Sequence, residues 1–328
     1  MFERSPESSF LQTTGRPRPL RFAAGGLVLM SALALTGCAG TPAASTAPSP
    51  ASAAPSASTA PSSAAPSSPA VPSASAAAVQ DLAITGTDFA FQAPATIPAG
   101  PTKITLTNSG QEEHQAQMAG IAAGKTFQDL TAALQANDEI AALGMLALSG
   151  GPTGVLPGES GSTTGNLAPG QYAFLCFVRS PDGVPHFAKG MIAPIEVTEP
   201  ASTAALPPGD AELTLQDFAF VGLETLSAGQ HTVTVTNDGP QPHEATIVKL
   251  ADGIAAADLV PMFTSTEPPT GPPPFTSAGG VAGIGNGMTV AMDVDLEPGN
   301  YAFLCFVPDP ASGQPHAALG MVGALTVE

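Results

Sequence analysis

The chain is 328 residues long, enough for two domains of ordinary size, with 35 glycines, 35 prolines, no tryptophan and only 11% charged residues. Its formal net charge of −18 understates the acidity of the later part, because four of the nine bases (Arg4, Arg16, Arg18, Arg21) precede Cys38 and five bases face 25 acids from there onward. Such a chain repels phosphate backbones and anionic headgroups, which argues against nucleic-acid binding.

Residues 1–21 carry the early bases and 22–35 form a short apolar run, a signal-peptide arrangement rather than a membrane span. The run ends in Leu35-Thr36-Gly37-Cys38, which resembles a bacterial lipoprotein lipobox. The resemblance implies a leader over residues 1–37, cleavage before Cys38, acylation of its thiol, and residence on the outer face of the bacterial cytoplasmic membrane. Residues 38–79 are almost wholly Ala, Ser, Pro and Thr. They have too little bulky apolar surface to offset chain entropy and read as a disordered tether.

The rest of the chain repeats itself at an offset of 129 to 130 residues, dividing into domains at 80–199 and 207–328. Asp88-Phe89-Ala90-Phe91 matches Asp217-Phe218-Ala219-Phe220, and Ile104-Thr105-Leu106-Thr107-Asn108 matches Val233-Thr234-Val235-Thr236-Asn237. A repeat this long is a duplicated domain rather than a solenoid unit. Alternation of Ile104 and Leu106, or Val233 and Val235, with Thr predicts strands with one buried face. Asn-x-Gly turns and Pro-Gly pairs punctuate them. Many short strands so bounded predict an all-β chain of two tandem Greek-key sandwiches. Each carries an insert: Phe127 to Gln135 reads as a short helix, and Ile254 to Phe263 as a weaker one interrupted by Pro261. The remainders, Gly150 to Gly165 and Pro268 to Gly287, read as Gly/Pro-rich loop.

Chemistry concentrates in one recurring stretch. Tyr172-Ala173-Phe174-Leu175-Cys176-Phe177-Val178 leads to Pro185-His186 and Gly190-Met191; Tyr301-Ala302-Phe303-Leu304-Cys305-Phe306-Val307 leads to Pro315-His316 and Gly320-Met321. His114 and His243 follow the Asn-x-Gly turns, so four of the five histidines fall on matched positions. One cysteine per repeat is no disulfide framework. A lone buried Cys is ordinarily a small hydrophobe, but that leaves the paired His and Met unexplained. Thiol, imidazole and thioether together suit copper better than calcium, magnesium or manganese.

With these donors in view, each repeat resembles a cupredoxin carrying a type 1 (blue) copper site. The resemblance implies the ligands His114, Cys176, His186 and Met191 in the first repeat, and His243, Cys305, His316 and Met321 in the second, with one copper per domain. The Gly-x-Pro-His-x-x-x-Gly-Met ending is similar to the type 1 loop of copper nitrite reductases. The sequence departs from the family where an Asn often follows the first His, having Gln115 and Glu244 instead. It also departs where reductases and multicopper oxidases place a His before the Cys, having Leu175 and Leu304. With one spare histidine, His231, a catalytic second copper centre is not expected, and neither is an enzyme. Glu112 and Glu113 read as solvated turn acids and His231 as a surface residue. The expectation is a membrane-tethered, extracytoplasmic copper protein passing single electrons to or from a redox partner. Two alternatives stay open: a copper carrier exchanging metal with a donor or acceptor protein, and a metal-free interaction module.

Overall fold

The computed structural model describes residues 79–136, 138–199, 204–265 and 271–328. The leader, Cys38, the tether and Pro268-Pro269-Thr270 lie outside the described residues.

The first repeat runs β1 (Gln80–Thr87), β2 (Ala90–Gln92), β3 (Thr96–Pro98), β4 (Gly100–Asn108), β5 (Gln117–Ile121), α1 (Phe127–Gln135), α2 (Glu139–Leu143), β6 (Leu146–Leu148), β7 (Ser160–Leu167), β8 (Gly170–Leu175) and β9 (Ile192–Thr198). The second runs β10 (Ala211–Gln216), β11 (Ala219–Val221), β12 (Thr225–Leu226), β13 (Gly229–Asn237), β14 (His243–Leu250), α3 (Val260–Thr264), β15 (Phe275–Ile284), β16 (Thr289–Leu296), β17 (Gly299–Leu304) and β18 (Val322–Val327). In each repeat the first long strand lies parallel to the strand carrying the Thr alternation, β1 on β4 and β10 on β13. A five-stranded layer packs across from it, in the order β3-β9-β8-β5-β6 or β12-β18-β17-β14-β15.

Period-two patterning supplies the core between the layers. Leu82, Ile84, Ile104 and Leu106 meet Met118, Phe174, Ile195 and Val197 in the first repeat. Leu213, Leu215, Val233 and Val235 meet Ile247, Phe303, Leu325 and Val327 in the second. Each such side chain, fully buried, contributes about 1.5–3 kcal/mol of transfer free energy. The Thr residues between them turn to the other face. The fold is thus the expected pair of cupredoxin-like sandwiches.

The two sandwiches are joined through one continuous sheet of eight strands, ordered β11-β10-β13-β16-β7-β4-β1-β2. At its middle β7 pairs antiparallel with its own counterpart β16, through Ser162 with Asp293, Thr163 with Met292 and Thr164 with Ala291. Thr163 and Met292 are equivalent repeat positions, and the flanking pairs exchange with one another. That is the signature of a local two-fold axis. A second crossing repeats it: Pro152 bridges its equivalent Val281, flanked by Thr153 N–H to Gly280 O at 3.2 Å and Ala282 N–H to Gly151 O at 2.8 Å. The repeats therefore meet as an isologous pseudo-dimer within one chain.

This junction corrects the loop reading of the inserts. Residues 160–165 belong to β7 and 275–284 to β15. Composition misleads here because the glycines serve backbone approach instead of a turn. Gly280 has φ of 137°, and a Cβ there would fall 2.9 Å from Thr246 Cα in the neighbouring strand. The predicted helix is present as α1, capped by a reciprocal Thr126–Asp129 box. Its Leu130 is fully buried against Ala173 and Leu175 on the back of β8. In the second repeat the helical signal breaks into a short 3-10 turn and α3.

Candidate metal centres

His114 and His243 are delivered by the turn that closes β4 and β13. In each, the Asn side chain folds back: Asn108 Oδ1 accepts from Gly110 N–H at 2.8 Å while its amide donates to Glu112 O and Val155 O. Asn237 does the same with Gly239, Gln241 and Ile284. Glycine is required at the third position, since a Cβ on Gly239 would lie 2.7 Å from His243 Nε2. Cys176 and Cys305 end β8 and β17. The loop behind each is closed by Phe187 N–H to Cys176 O and Met191 N–H to His186 O, or Ala317 N–H to Cys305 O and Met321 N–H to His316 O, all 2.8–2.9 Å. His186 and His316 open single 3-10 turns, which end on left-handed Gly190 (φ 111°) and Gly320 (φ 98°) directly before the methionines.

The structure brings together His114, Cys176 and His186 in one cluster and His243, Cys305 and His316 in another, with the donor atoms of each within 4.8 Å of one another. The facing imidazole nitrogens are Nδ1 in every case, 3.1 Å apart between His114 and His186 and 3.0 Å between His243 and His316. Cys176 Sγ lies 3.4 Å from His186 Nδ1, and Cys305 Sγ lies 3.4 Å from His316 Nδ1 and 3.9 Å from His243 Nδ1. All six side chains are 0% exposed, as are Met191 and Met321. Met191 also reaches the first cluster: a Cβ built on Gly86 would touch both its methyl, at 3.3 Å, and the His114 ring, at 3.4 Å. Met321 packs in the same core cluster as Cys305.

The outer nitrogens determine what the inner ones can do. His114 Nε2 faces Asp88 Oδ1 at 3.0 Å, His186 Nε2 faces Glu112 Oε2 at 3.0 Å, His243 Nε2 faces Asp217 Oδ1, and His316 Nε2 faces Gln241 Oε1 at 3.1 Å. Carboxylate and carbonyl oxygens only accept, so each Nε2 carries the proton and each Nδ1 presents a lone pair. Two lone pairs aimed at each other across 3 Å, beside a thiol, repel unless a cation lies between them. A metal at ~2.0 Å from nitrogen and ~2.3 Å from sulfur in a trigonal plane separates its donors by about 3.5–3.7 Å. The observed spacings need to shift by only a few tenths of an ångström, opening in every case but Cys305–His243, which closes slightly. The donor set fits a trigonal His₂Cys copper site with a thioether nearby.

The electrostatics of the metal-free donors agree. Burial, with the neighbouring imidazole, holds His114 below the usual histidine range and brings His316 down to about 4. His243 is lowered by burial as well, against the pull of Asp217. These rings are therefore neutral ligands at pH 7. Burial pushes the Cys176 thiol up to about 12 and raises Cys305 too, with the Glu244 charge adding to it. Each sulfur accepts an amide, from Gln115 N–H or Glu244 N–H, at 3.4 Å.

Several residues have roles that the sequence reading missed. Asp88 and Phe89 act as a pair: Asp88 grips His114, and the Phe89 ring covers His186 at 4.8 Å between centroids. Asp217 and Phe218 do the same for His243 and His316. Burial works to raise Asp88, but the amides of Gln111 and Glu112 and the His114 ring outweigh it. The signal was the duplicated Asp-Phe-Ala-Phe. Glu112 stays partly exposed but its carboxylate accepts from His186 Nε2, and Glu113 is half-buried with its carboxylate accepting from Ser277 Oγ at 2.7 Å. Glu244 is buried, accepts Phe306 N–H at 2.7 Å, and is raised to about 7 by burial. His231 lies outside both clusters, its Nδ1 on Asp210 at 2.6 Å, and is shielded by Ser227.

Fold and donors together define a cupredoxin-like pseudo-dimer with two His₂Cys clusters. Among solved structures the chain is similar to dithionite-reduced auracyanin from the photosynthetic bacterium Roseiflexus castenholzii, at 27% identity over 36% of this chain and 94% of that one, with a TM-score of 0.25. It is similar to auracyanin A, a "blue" copper protein from the green thermophilic photosynthetic bacterium Chloroflexus aurantiacus, at 23% identity over 36% of this chain and 99% of that one, TM-score 0.24. It is also similar to copper nitrite reductase from Nitrosomonas europaea, at 15% identity over 76% of this chain and 94% of that one, TM-score 0.22. No family model and no curated protein matches the sequence. Scores this low leave the site to be read from its own donors.

Proposed function

We propose that each repeat holds one copper ion between its two Nδ1 atoms and its cysteine sulfur, and that the chain passes single electrons outside the cytoplasmic membrane. The observation that carries this is the duplicated, fully buried cluster whose four Nε2 atoms are all tied to acceptors. Copper so bound supplies a one-electron couple. The chain's part is to fix the geometry: Asp88, Glu112, Asp217 and Gln241 hold the rings, the amides of Gln115 and Glu244 steady the sulfurs, and Phe89 and Phe218 exclude water. A site held this tightly by its surroundings changes oxidation state with little rearrangement, which favours transfer over release. The lipobox and tether give the working location, anchored through Cys38 at the outer face of the membrane, with a redox protein as partner. No enzymatic step is assigned, because the fifth histidine is occupied with Asp210. Copper carriage is the second reading, since the same donors would bind metal for exchange.

Repeated reduction by ascorbate and reoxidation, followed in the visible spectrum, separates the two. Electron transfer predicts full recovery of the oxidised spectrum with copper retained over many cycles. Loss of copper to a chelator at each reduction supports carriage instead.

A further inference from the structure

Between the repeats, beside both metal loops, lies a cavity of about 630 Å³. It is lined by equivalent positions from the two halves: Gln115 with Glu244, Phe177 with Phe306, and Pro185 with Pro315. The local two-fold axis of the β7–β16 and Pro152–Val281 contacts accounts for that pairing. Leu134, Leu146 and Leu148 from the first insert close one side. The volume and the mainly apolar lining are those of a small-molecule site.

Part of the polar lining is spent on the protein: Gln117 donates to Gly283 O, Glu113 accepts from Ser277 Oγ and Arg179 donates to Gly183 O. Gln115 and Thr246 are 7% and 5% exposed, yet among the described residues neither side chain makes a hydrogen bond. Glu244 uses one carboxylate oxygen, for Phe306 N–H, and leaves the other open. The polar atoms of neither residue are sealed from solvent without a partner, so they face the cavity and stay free to bond a ligand. The lining offers an amide and a hydroxyl that donate or accept, and a carboxylate that accepts, with phenyl faces between them. Two carboxylates, Glu113 and Glu244, against the single guanidinium of Arg179 disfavour an anion. The repeated geometry fits a molecule with a hydroxyl at each end of an apolar ring.

We infer that the cavity between the repeats binds an uncharged dihydroxy-aromatic molecule of the hydroquinone class, its hydroxyls on Gln115 and Glu244 and its ring among Phe177, Phe306 and the leucines. The inference stands on the lining and not on the proposed electron transfer. Calorimetric titration with hydroquinone tests it, using the full chain kept reduced with ascorbate under argon so that ligand and metal exchange no electrons. Saturable binding of one hydroquinone per chain is expected, weakened at least tenfold in Gln115→Leu and in Glu244→Leu. Circular dichroism checks that both variants fold, and Arg179→Ala at the cavity wall serves as a second variant, expected to bind within threefold of the parent. Absence of saturable binding to the folded parent protein overturns the proposal. Tighter binding of benzylammonium than of hydroquinone also overturns it, by showing that the carboxylates select a cation. Either result leaves the copper titration unaffected, so the two readings fail separately.

Discussion

Asp88 and Asp217 each accept from the outer nitrogen of a histidine whose inner nitrogen faces a second histidine, so the carboxylate sets the tautomer on which metal binding depends. Partners that hold a coordinating ring in this way are commonly worth about 10–100-fold in metal affinity. Asp88→Ala should weaken copper at the first site by that factor, read by competition with a chelator, while Asp88→Asn, which keeps an acceptor, should lose less. Glu244 makes a separate prediction about pH. Its folded pKa of about 7 stands above the ordinary 4.5, so the unfolded chain gives up this proton first as pH rises. The stabilisation is complete below pH 4.5 and is lost on going up to 7, by an amount on the order of 3 kcal/mol. His316, depressed to about 4, acts in the opposite direction, costing stability as pH falls from 6.5 toward 4. The two contributions offset each other over their shared range, so metal-free protein should change little between pH 4.5 and 6.5, whereas Glu244→Gln, keeping only the histidine contribution, should gain stability across that range in denaturant titrations.

At the level of elements, the strand carrying each cysteine is supported from behind by the core and, in the first repeat, by α1. Leu130 is the buried anchor of that helix, and truncation in such a site costs about 2–5 kcal/mol. Leu130→Ala should lower the denaturant midpoint accordingly, yet leave copper stoichiometry unchanged: Phe177 and Phe187 of the metal loop border the same cluster, but the donor side chains lie outside it. The elements were readable from local pattern wherever one face is buried: Ile104 and Leu106 alternate with Thr, and Phe127 to Gln135 read as the helix that forms. The cluster was readable for a different reason, since duplication marks four histidines and two cysteines at offsets of 129 and 130 residues. What stayed hidden depends on distance in the chain. Asp88 reaches His114 across 26 residues, and nothing near Asp88 announces a partner. The glycines of β15 read as loop although the strand pairs with β14 of its own repeat, because they serve close approach to that neighbour and not a turn.

For the molecule as a whole, the junction is self-complementary: β7 meets β16 and Pro152 meets Val281 about one local axis. A Lys103–Asp293 ion pair at 2.8 Å and a Ser277–Glu113 hydrogen bond at 2.7 Å add cross-repeat contacts. An isolated repeat would expose the β7 edge and the face around Pro152, and the same geometry would let a second copy cover them. Residues 80–199 alone should therefore sediment as a homodimer, and a stable monomer would mean that the junction contributes little. Of all measurements, the one that tests the central claim most directly is titration of metal-free full chain with Cu(II), following visible absorption and bound metal together. The account predicts an intense blue band saturating at two copper per chain and falling by half in each of Cys176→Ala and Cys305→Ala. Absence of stoichiometric copper binding, with the sheet intact by circular dichroism, would contradict it.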